Sequence, residues 1–232
     1  SSTSRLYGRS AIGKTDTGAS CVSTDSPSIL WTPPQDQVGE YAMTRLMRKL
    51  AKTHGAPEKD DRAFHRWTID NTEPFWRSLW DDCRIIGEPG EIVVEQSQSM
   101  PGARWFPRAR LNYAENLLAA RNGEAEALCF RREDGLASRM TYDSLCDRVS
   151  QCVQVLQAAG VCKGDRVAAY MPNCPEALIA MLAATSLGAV FSSASPDFGA
   201  RGVLDRFGQI EPKVLLAVNG YTYNGQTHDR MD

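Results

Sequence analysis

The sequence predicts an α/β fold: parallel strands with covering helices, preceded by a mainly helical N-terminal segment. Three observations carry that expectation. The stretch "DRVAAYMPNCPEALIAMLAATSLGAVFSSASPDFG", residues 165–199, reads as an apolar strand, a turn, an apolar helix and a second strand. Residues 200–218 repeat the alternation, the pattern of a parallel sheet covered on both faces. Upstream, residues 38–84 space their apolar side chains by three and four.

In chain order, residues 1–27 are rich in Ser, Thr and Gly and predict a disordered tail. Trp31-Thr32-Pro33-Pro34 reads as an extended docking segment. Tyr41, Met43, Leu46, Met47 and Leu50 predict a helix over 38–53, stopped by Gly55-Ala56-Pro57. A helix over 72–84 follows, with Thr72 as cap, Pro74 in the first turn, and Phe75, Trp76, Leu79, Trp80 and Cys83 as its stripe. "IIGEPGEIVVEQ" supplies a Pro-Gly turn and a short strand.

From 111 a helix places Leu111, Ala114, Leu117 and Leu118 on one side. "ALCFRREDGLASRMTY" is a hairpin, because Asp134-Gly135 can take the positive φ a tight turn needs. Thr141 caps a helix running to Ala159, with Gly160 as its stop. Val167–Met171, Ala189–Ser192 and Lys213–Val218 are the expected parallel strands, the second of them short and buried. Between them run a helix opened by Pro175 and closed at Gly188, and one over 200–209 with Val203, Leu204 and Phe207 inward. Ligands of such sheets sit beyond the carboxyl ends of the strands. Here that edge consists of Met171-Pro172-Asn173, Ser192 to Gly199, and Asn219 onward.

Composition excludes more than it selects. The chain is 42% hydrophobic and 23% charged with a formal net charge of -2, which gives no electrostatic reason to expect nucleic acid. Arg104, Arg108 and Arg110 cluster, but Trp105, Phe106 and Pro107 interrupt them, as in a solvated loop. The seven cysteines are scattered without a C-x-x-C pair and the three histidines are far apart, so no zinc site is expected. Cys129, Cys146 and Cys152 fall on apolar positions, where cysteine serves as a small hydrophobe. Reduced thiols point to the cytoplasm. The longest apolar run, Ala177 to Phe191, is short of the roughly 20 residues of a membrane span.

No G-x-G-x-x-G, Walker loop or G-x-S-x-G occurs, which disfavours a dinucleotide-binding oxidoreductase. Ser192, Ser193 and Ser195 read as loop hydroxyls that satisfy backbone groups. Glu176 and Asp197 stand near the proposed edge, and a lone carboxylate does not establish acid–base chemistry. The residues alone support an α/β domain with one suggestive loop.

Four segments in combination go further: "LWTPP", "FHRWTIDNTEPFWRSLWDDCRIIGEPG", "RWFPRARLNYAENLL" and "GVCKGDRVAAYMPNCPEALIAMLAATSLGAVFSSASPDFGARGVLDRFGQIEPKVLLAV". Over residues 28–232 the chain resembles the adenylate-forming acyl-CoA synthetase superfamily, and in "SSASPDFGARGVLDRFGQIEPK" its acetoacetate-activating branch. The resemblance implies a helical N-terminal cap over 28–110 and the first part of the AMP-binding domain over 111–232, an incomplete large domain.

It further implies a complete enzyme that uses ATP, CoA and Mg²⁺ to activate acetoacetate in the cytoplasm for lipid synthesis. The phosphate loop, the adenine and ribose motifs and the lid lysine belong to later parts of the family's sequence, so these residues alone are expected to be inactive, to hold no catalytic or metal-binding residue and to bind no cofactor tightly. Pro196, Asp197, Phe198 and Gly199 correspond to the CoA-contacting loop. Two basic residues that reach the CoA phosphates in the acetate relative fall near Tyr223 and Gln226 by simple spacing, neither of them basic here, which leaves Arg201 or Arg230 as substitutes. Alternatives are a non-catalytic CoA-side binding or interaction module, or another short-chain acyl-CoA synthetase.

Overall fold

The computed structural model describes residues 30–119 and 122–229. The tail expected over 1–27, together with Cys21 and Arg230, lies outside the described residues. The chain divides into two compact units, residues 1–45 and 46–232.

The first unit contributes the short helix α1 (Gln35–Val38) and the start of α2 (Ala42–His54). The expected 38–53 helix therefore begins later, and Tyr41 and Met43 are exposed. In the second unit, Leu46, Met47 and Leu50 of α2 are buried with Ala56 and Phe64. Phe64 belongs to α3 (Asp61–Asp70), a helix absent from the expectations above. Its N-cap Asp60 accepts hydrogen bonds from the Arg62 and Ala63 amides. Helix α4 (Thr72–Asp82) follows at once. Asn71 occupies its cap position, so Thr72 is the first helical residue instead, and its hydroxyl donates back to Ile69 O at 2.8 Å. Cys83 lies past the helix end and is exposed. The α4 tryptophans do pack: Trp76 against Trp105 and Trp80 against Phe106, each with ring centroids 4.9 Å apart.

Two small antiparallel pairs link α4 to the rest. β1 (Gly87–Glu88) pairs with β4 (Arg110–Leu111), and β2 (Val94–Glu95) with β3 (Arg104–Trp105). Leu111 is thus an exposed strand residue rather than part of a helical stripe. Helix α5 (Tyr113–Leu118) starts after Asn112, whose side chain accepts from the Glu115 amide. Strands β5 (Glu126–Arg131) and β6 (Ala137–Thr141) form the expected hairpin, with Gly135 at φ 86° in its turn. Cys129 faces solvent there, because this two-stranded ribbon does not bury every inward-reading position.

The parallel sheet has the order β8-β7-β9, from β7 (Arg166–Tyr170), β8 (Val190–Ala194) and β9 (Val214–Ala217). Helices α6 (Tyr142–Ala158), α7 (Pro175–Ser186) and α8 (Ala200–Ile210) complete the unit. Both expected start signals operate: the Thr141 hydroxyl accepts from the Ser144 amide, and Pro175 is the first residue of α7. Successive β7 side chains point to opposite faces. Val167 joins Leu145, Val149, Leu156 and Leu182 of α6 and α7, whereas Ala168 joins Ala194 and Phe207 of the α8 side. Only β7 is buried along its centre. β8 is an edge strand with Val190 exposed, so it is not the buried strand expected. On α8, Val203, Phe207 and Ile210 meet the sheet while Leu204 is turned to solvent, one step of about 100° off that stripe. A second hairpin, β10 (Gly220–Tyr223) and β11 (Gln226–Asp229), was not expected. It turns at Asn224-Gly225, both with positive φ. Among the described residues, no helix is long and apolar enough to cross a membrane.

Candidate functional site

Because β7, β8 and β9 are parallel, their carboxyl ends share one edge, and the segments after them meet there. Residues 195–199 leave β8 in a tight turn, closed by the Phe198 amide donating to Ser195 O at 3.2 Å. Pro196 sits at the position where its fixed φ favours such turns, and its side chain is fully buried. Gly199 is the N-cap residue of α8, and a Cβ there would meet nothing within 4 Å. Phe198 is 40% exposed. The guanidinium of Arg206, the seventh residue of α8, lies 4.0 Å from the Phe198 ring centroid. The four residues singled out in the sequence are therefore consecutive parts of one turn at the sheet edge.

The groups that hold this turn were not foreseen. The Tyr170 hydroxyl, at the end of β7, stands 2.7 Å from Pro196 O and 2.6 Å from Phe198 O. The Ser195 hydroxyl donates to Asp197 Oδ2 at 2.8 Å, and the Tyr221 hydroxyl donates to Asp197 Oδ1 at 2.9 Å. Asp197 is thus an acceptor inside a polar network rather than a lone acid or base. Tyr221 in turn stacks on His228 across the second hairpin, at 5.1 Å between centroids.

Tyr221 also borders a cleft of about 440 Å³. Arg131, Arg132 and Glu133 form one wall, and Asn173, Cys174 and Glu176 at the start of α7 form another. Arg132 donates to Thr222 Oγ1 at 3.3 Å, and Glu133 accepts from the Gly225 amide at 3.1 Å, which ties the two hairpins together across the cleft. Burial pushes the Cys174 thiol up from its ordinary value, which disfavours the thiolate form. Of the basic residues considered for CoA phosphates, Arg201 lies in the first turn of α8, next to the 195–199 turn. Tyr223 and Gln226 flank the second hairpin's turn. The arrangement offers a rigid turn with an exposed aromatic ring beside a polar cleft. Among the described residues no group of three or more His, Cys, Asp or Glu could hold a metal ion.

Comparison with known proteins gives the site a context. Residues 117–231 match the AMP-binding enzyme family, and residues 61–117 match the acetyl-coenzyme A synthetase N-terminus. Acetoacetyl-coenzyme A synthetase of Rhizobium meliloti is 46% identical over 200 residues, covering 86% of this chain and 31% of that protein. Malonamoyl-CoA synthetase of Penicillium aethiopicum is 36% identical over 220 residues, covering 92% of this chain and 30% of that one. The solved acetoacetyl-CoA synthetase of Streptomyces lividans superposes with a TM-score of 0.79 at 41% identity, over 88% of this chain and 32% of its own. The chain spans about a third of the length of each.

Proposed function

The chain belongs to the adenylate-forming, AMP-binding enzyme family and matches the N-terminal part of acetoacetyl-CoA synthetases, and from that membership we propose that it is the N-terminal part of an acetoacetate–CoA ligase. The observation that carries the reading is the agreement, in sequence and in fold, with acetoacetyl-CoA synthetases over almost all of the described residues. In the complete enzyme the acetoacetate carboxylate attacks the α-phosphate of ATP, giving acetoacetyl-adenylate and pyrophosphate. The CoA thiol then attacks the acyl carbon and AMP leaves with the acyl–phosphate bonding pair. Adenylation gives an inert carboxylate a good leaving group, which lowers the barrier for the thiol. Mg²⁺ would neutralise phosphate charge when bound. Within this reading residues 28–110 form the helical cap, residues 111–232 open the adenylation domain, and the complete enzyme works in the cytoplasm.

The part assigned to these residues is binding and orientation on the CoA side. Pro196, Asp197, Phe198 and Gly199 form one wall of the CoA channel, with Phe198 as the contact. An exposed ring on a turn fixed at both ends supports that role, because large aromatics left in water are commonly explained by a ligand or partner. A second reading, a ligase for another short acyl acid, is favoured by the similarity to the malonamoyl-CoA synthetase. The test is the full-length polypeptide carrying these residues, offered acetoacetate, malonamate and acetate, with adenylation and thioester formation assayed separately. Acetoacetate is expected to give the highest kcat/KM. Phe198→Ala is expected to leave adenylation intact and to raise the KM for CoA roughly 5- to 150-fold, the loss of one buried contact. Preference for malonamate would select the second reading. Equal loss in both half-reactions with a lowered Tm would make Phe198 a core residue.

A further inference from the structure

Two phenols from two different strands converge on the turn 195–199. Tyr170 ends β7 on the face shared with Ala168, Ala194 and Phe207, below the turn. Its single hydroxyl proton faces two carbonyls of that turn at once, Pro196 O at 2.7 Å and Phe198 O at 2.6 Å. One proton shared between the two oxygens ties them to a common point, Pro196 O on the part-buried side and Phe198 O on the exposed side. Tyr221, from β10, reaches the other side of the turn and donates to Asp197 Oδ1, while Ser195 takes Oδ2. The turn is therefore fixed from below through its carbonyls, from the side through the Asp197 carboxylate, and at its ends by its own Phe198-to-Ser195 hydrogen bond. The Phe198 ring on this fixed backbone is 40% exposed, with the Arg206 guanidinium over it.

We propose that Tyr170 and Tyr221 are positioning residues for CoA, which act through the turn 195–199 without touching the ligand themselves. The inference rests on the CoA-wall reading of that turn. Its chemical reason is that the thiol must reach the acyl carbon along a channel, and a misplacement of about 1 Å can cost about 100-fold in rate. A turn anchored by two rigid phenols transmits the position of the β-sheet to the ligand, whereas a free Pro-Asp-Phe-Gly turn would sample several conformations.

The experiment uses the full-length polypeptide with Tyr170→Phe, Tyr221→Phe, the double variant, and Asp197→Asn. Hydrogen exchange at the Asp197 and Phe198 amides reads the anchoring. ATP–pyrophosphate exchange and thioester formation read the two half-reactions. Removing one hydroxyl is expected to speed exchange at both amides and to raise the KM for CoA about 3- to 30-fold, the range for one or two lost hydrogen bonds, with adenylation unchanged. Asp197→Asn keeps an acceptor for one of the two hydroxyls, Ser195 or Tyr221, and should show a smaller loss than the double variant. Unchanged exchange in both single variants overturns the anchoring. Faster exchange with an unaltered KM for CoA in these variants and in Phe198→Ala overturns the CoA-wall reading while leaving the anchoring in place. Equal loss in both half-reactions with a lowered Tm reduces the phenols to a structural role. If Tyr170→Phe does not fold, Tyr221→Phe, whose hydroxyl lies at the more exposed side, decides alone.

Discussion

Asp165 sits at the amino end of β7, away from the candidate site, and its carboxylate shows how single residues stabilise this fold. It accepts from the Cys162 amide at 2.8 Å and from Lys213 Nζ at 2.9 Å, joining the turn before β7 to the start of β9. The Cys162 amide first, and then Lys213, hold its carboxyl below the ordinary carboxylate value. A folded-state value below the unfolded one stabilises the fold above the unfolded pKa and loses that contribution as pH falls through the folded pKa. Asp165→Asn keeps an acceptor for the amide but removes the charge. The wild type is therefore expected to have the higher urea midpoint at pH 7, with the two midpoints converging below about pH 4. A gap that persists undiminished at pH 2.5 would contradict this. At the same scale, the turn 195–199 was legible in the sequence as a loop, because Pro and Gly follow an apolar strand. Its anchors were not, since Tyr170 lies 26 residues before Pro196 and Tyr221 lies 24 residues after Asp197. The parallel register sets Tyr170 opposite Ala194, and the β10–β11 hairpin that follows β9 carries Tyr221.

Elements with a chemical start and stop were readable, and elements lacking one were not. Helix α6 has Thr141 at its start and Gly160, with φ 77°, just past its end, while α7 has Pro175 and Gly188, with φ 70°. Thr141→Ala removes the acceptor of the Ser144 amide and is expected to cost about 1 kcal/mol in urea unfolding, with Thr141→Ser close to neutral. An equal cost for both substitutions would mean that the methyl group, not the cap, matters. Helix α3 escaped notice because its apolar stripe is thin: Phe64 alone is buried, with Trp67 half-covered beside it. The Asp60 cap was the available signal. The β10–β11 hairpin likewise had one, since Asn-Gly favours the positive φ that both residues adopt. Their setting after the last parallel strand concealed it, because the alternation up to residue 218 points to another helix. The misjudged burial of β8 has a different cause: a short apolar strand looks the same in sequence whether it is central or at an edge, and the order β8-β7-β9 makes it an edge.

At the scale of the molecule, the sheet edge and its turn are present while the groups that grip ATP are not found among these 232 residues. Among the described residues no glycine-rich phosphate loop follows a strand, and the β7–α7 turn is Met171-Pro172-Asn173-Cys174-Pro175, whose two prolines remove amide donors where a phosphate would need them. Adenylation depends on donors and charge fixed around the transferring phosphate, and the loss of even one such donor can cost about 100- to 1000-fold. A protein of these 232 residues is therefore expected to release no pyrophosphate above background with ATP, Mg²⁺ and acetoacetate. It is also expected to bind CoA no more tightly than about 1 mM, because a single wall contributes too few contacts to offset the lost freedom of the ligand. Calorimetric titration with CoA and a coupled pyrophosphate assay measure both. Pyrophosphate formation that depends on acetoacetate would mean that a phosphate grip exists among these residues, and the cleft between Arg132 and Glu176 would be the first place to seek it. Micromolar CoA binding without turnover would instead favour a free-standing CoA-side binding module built on the same turn.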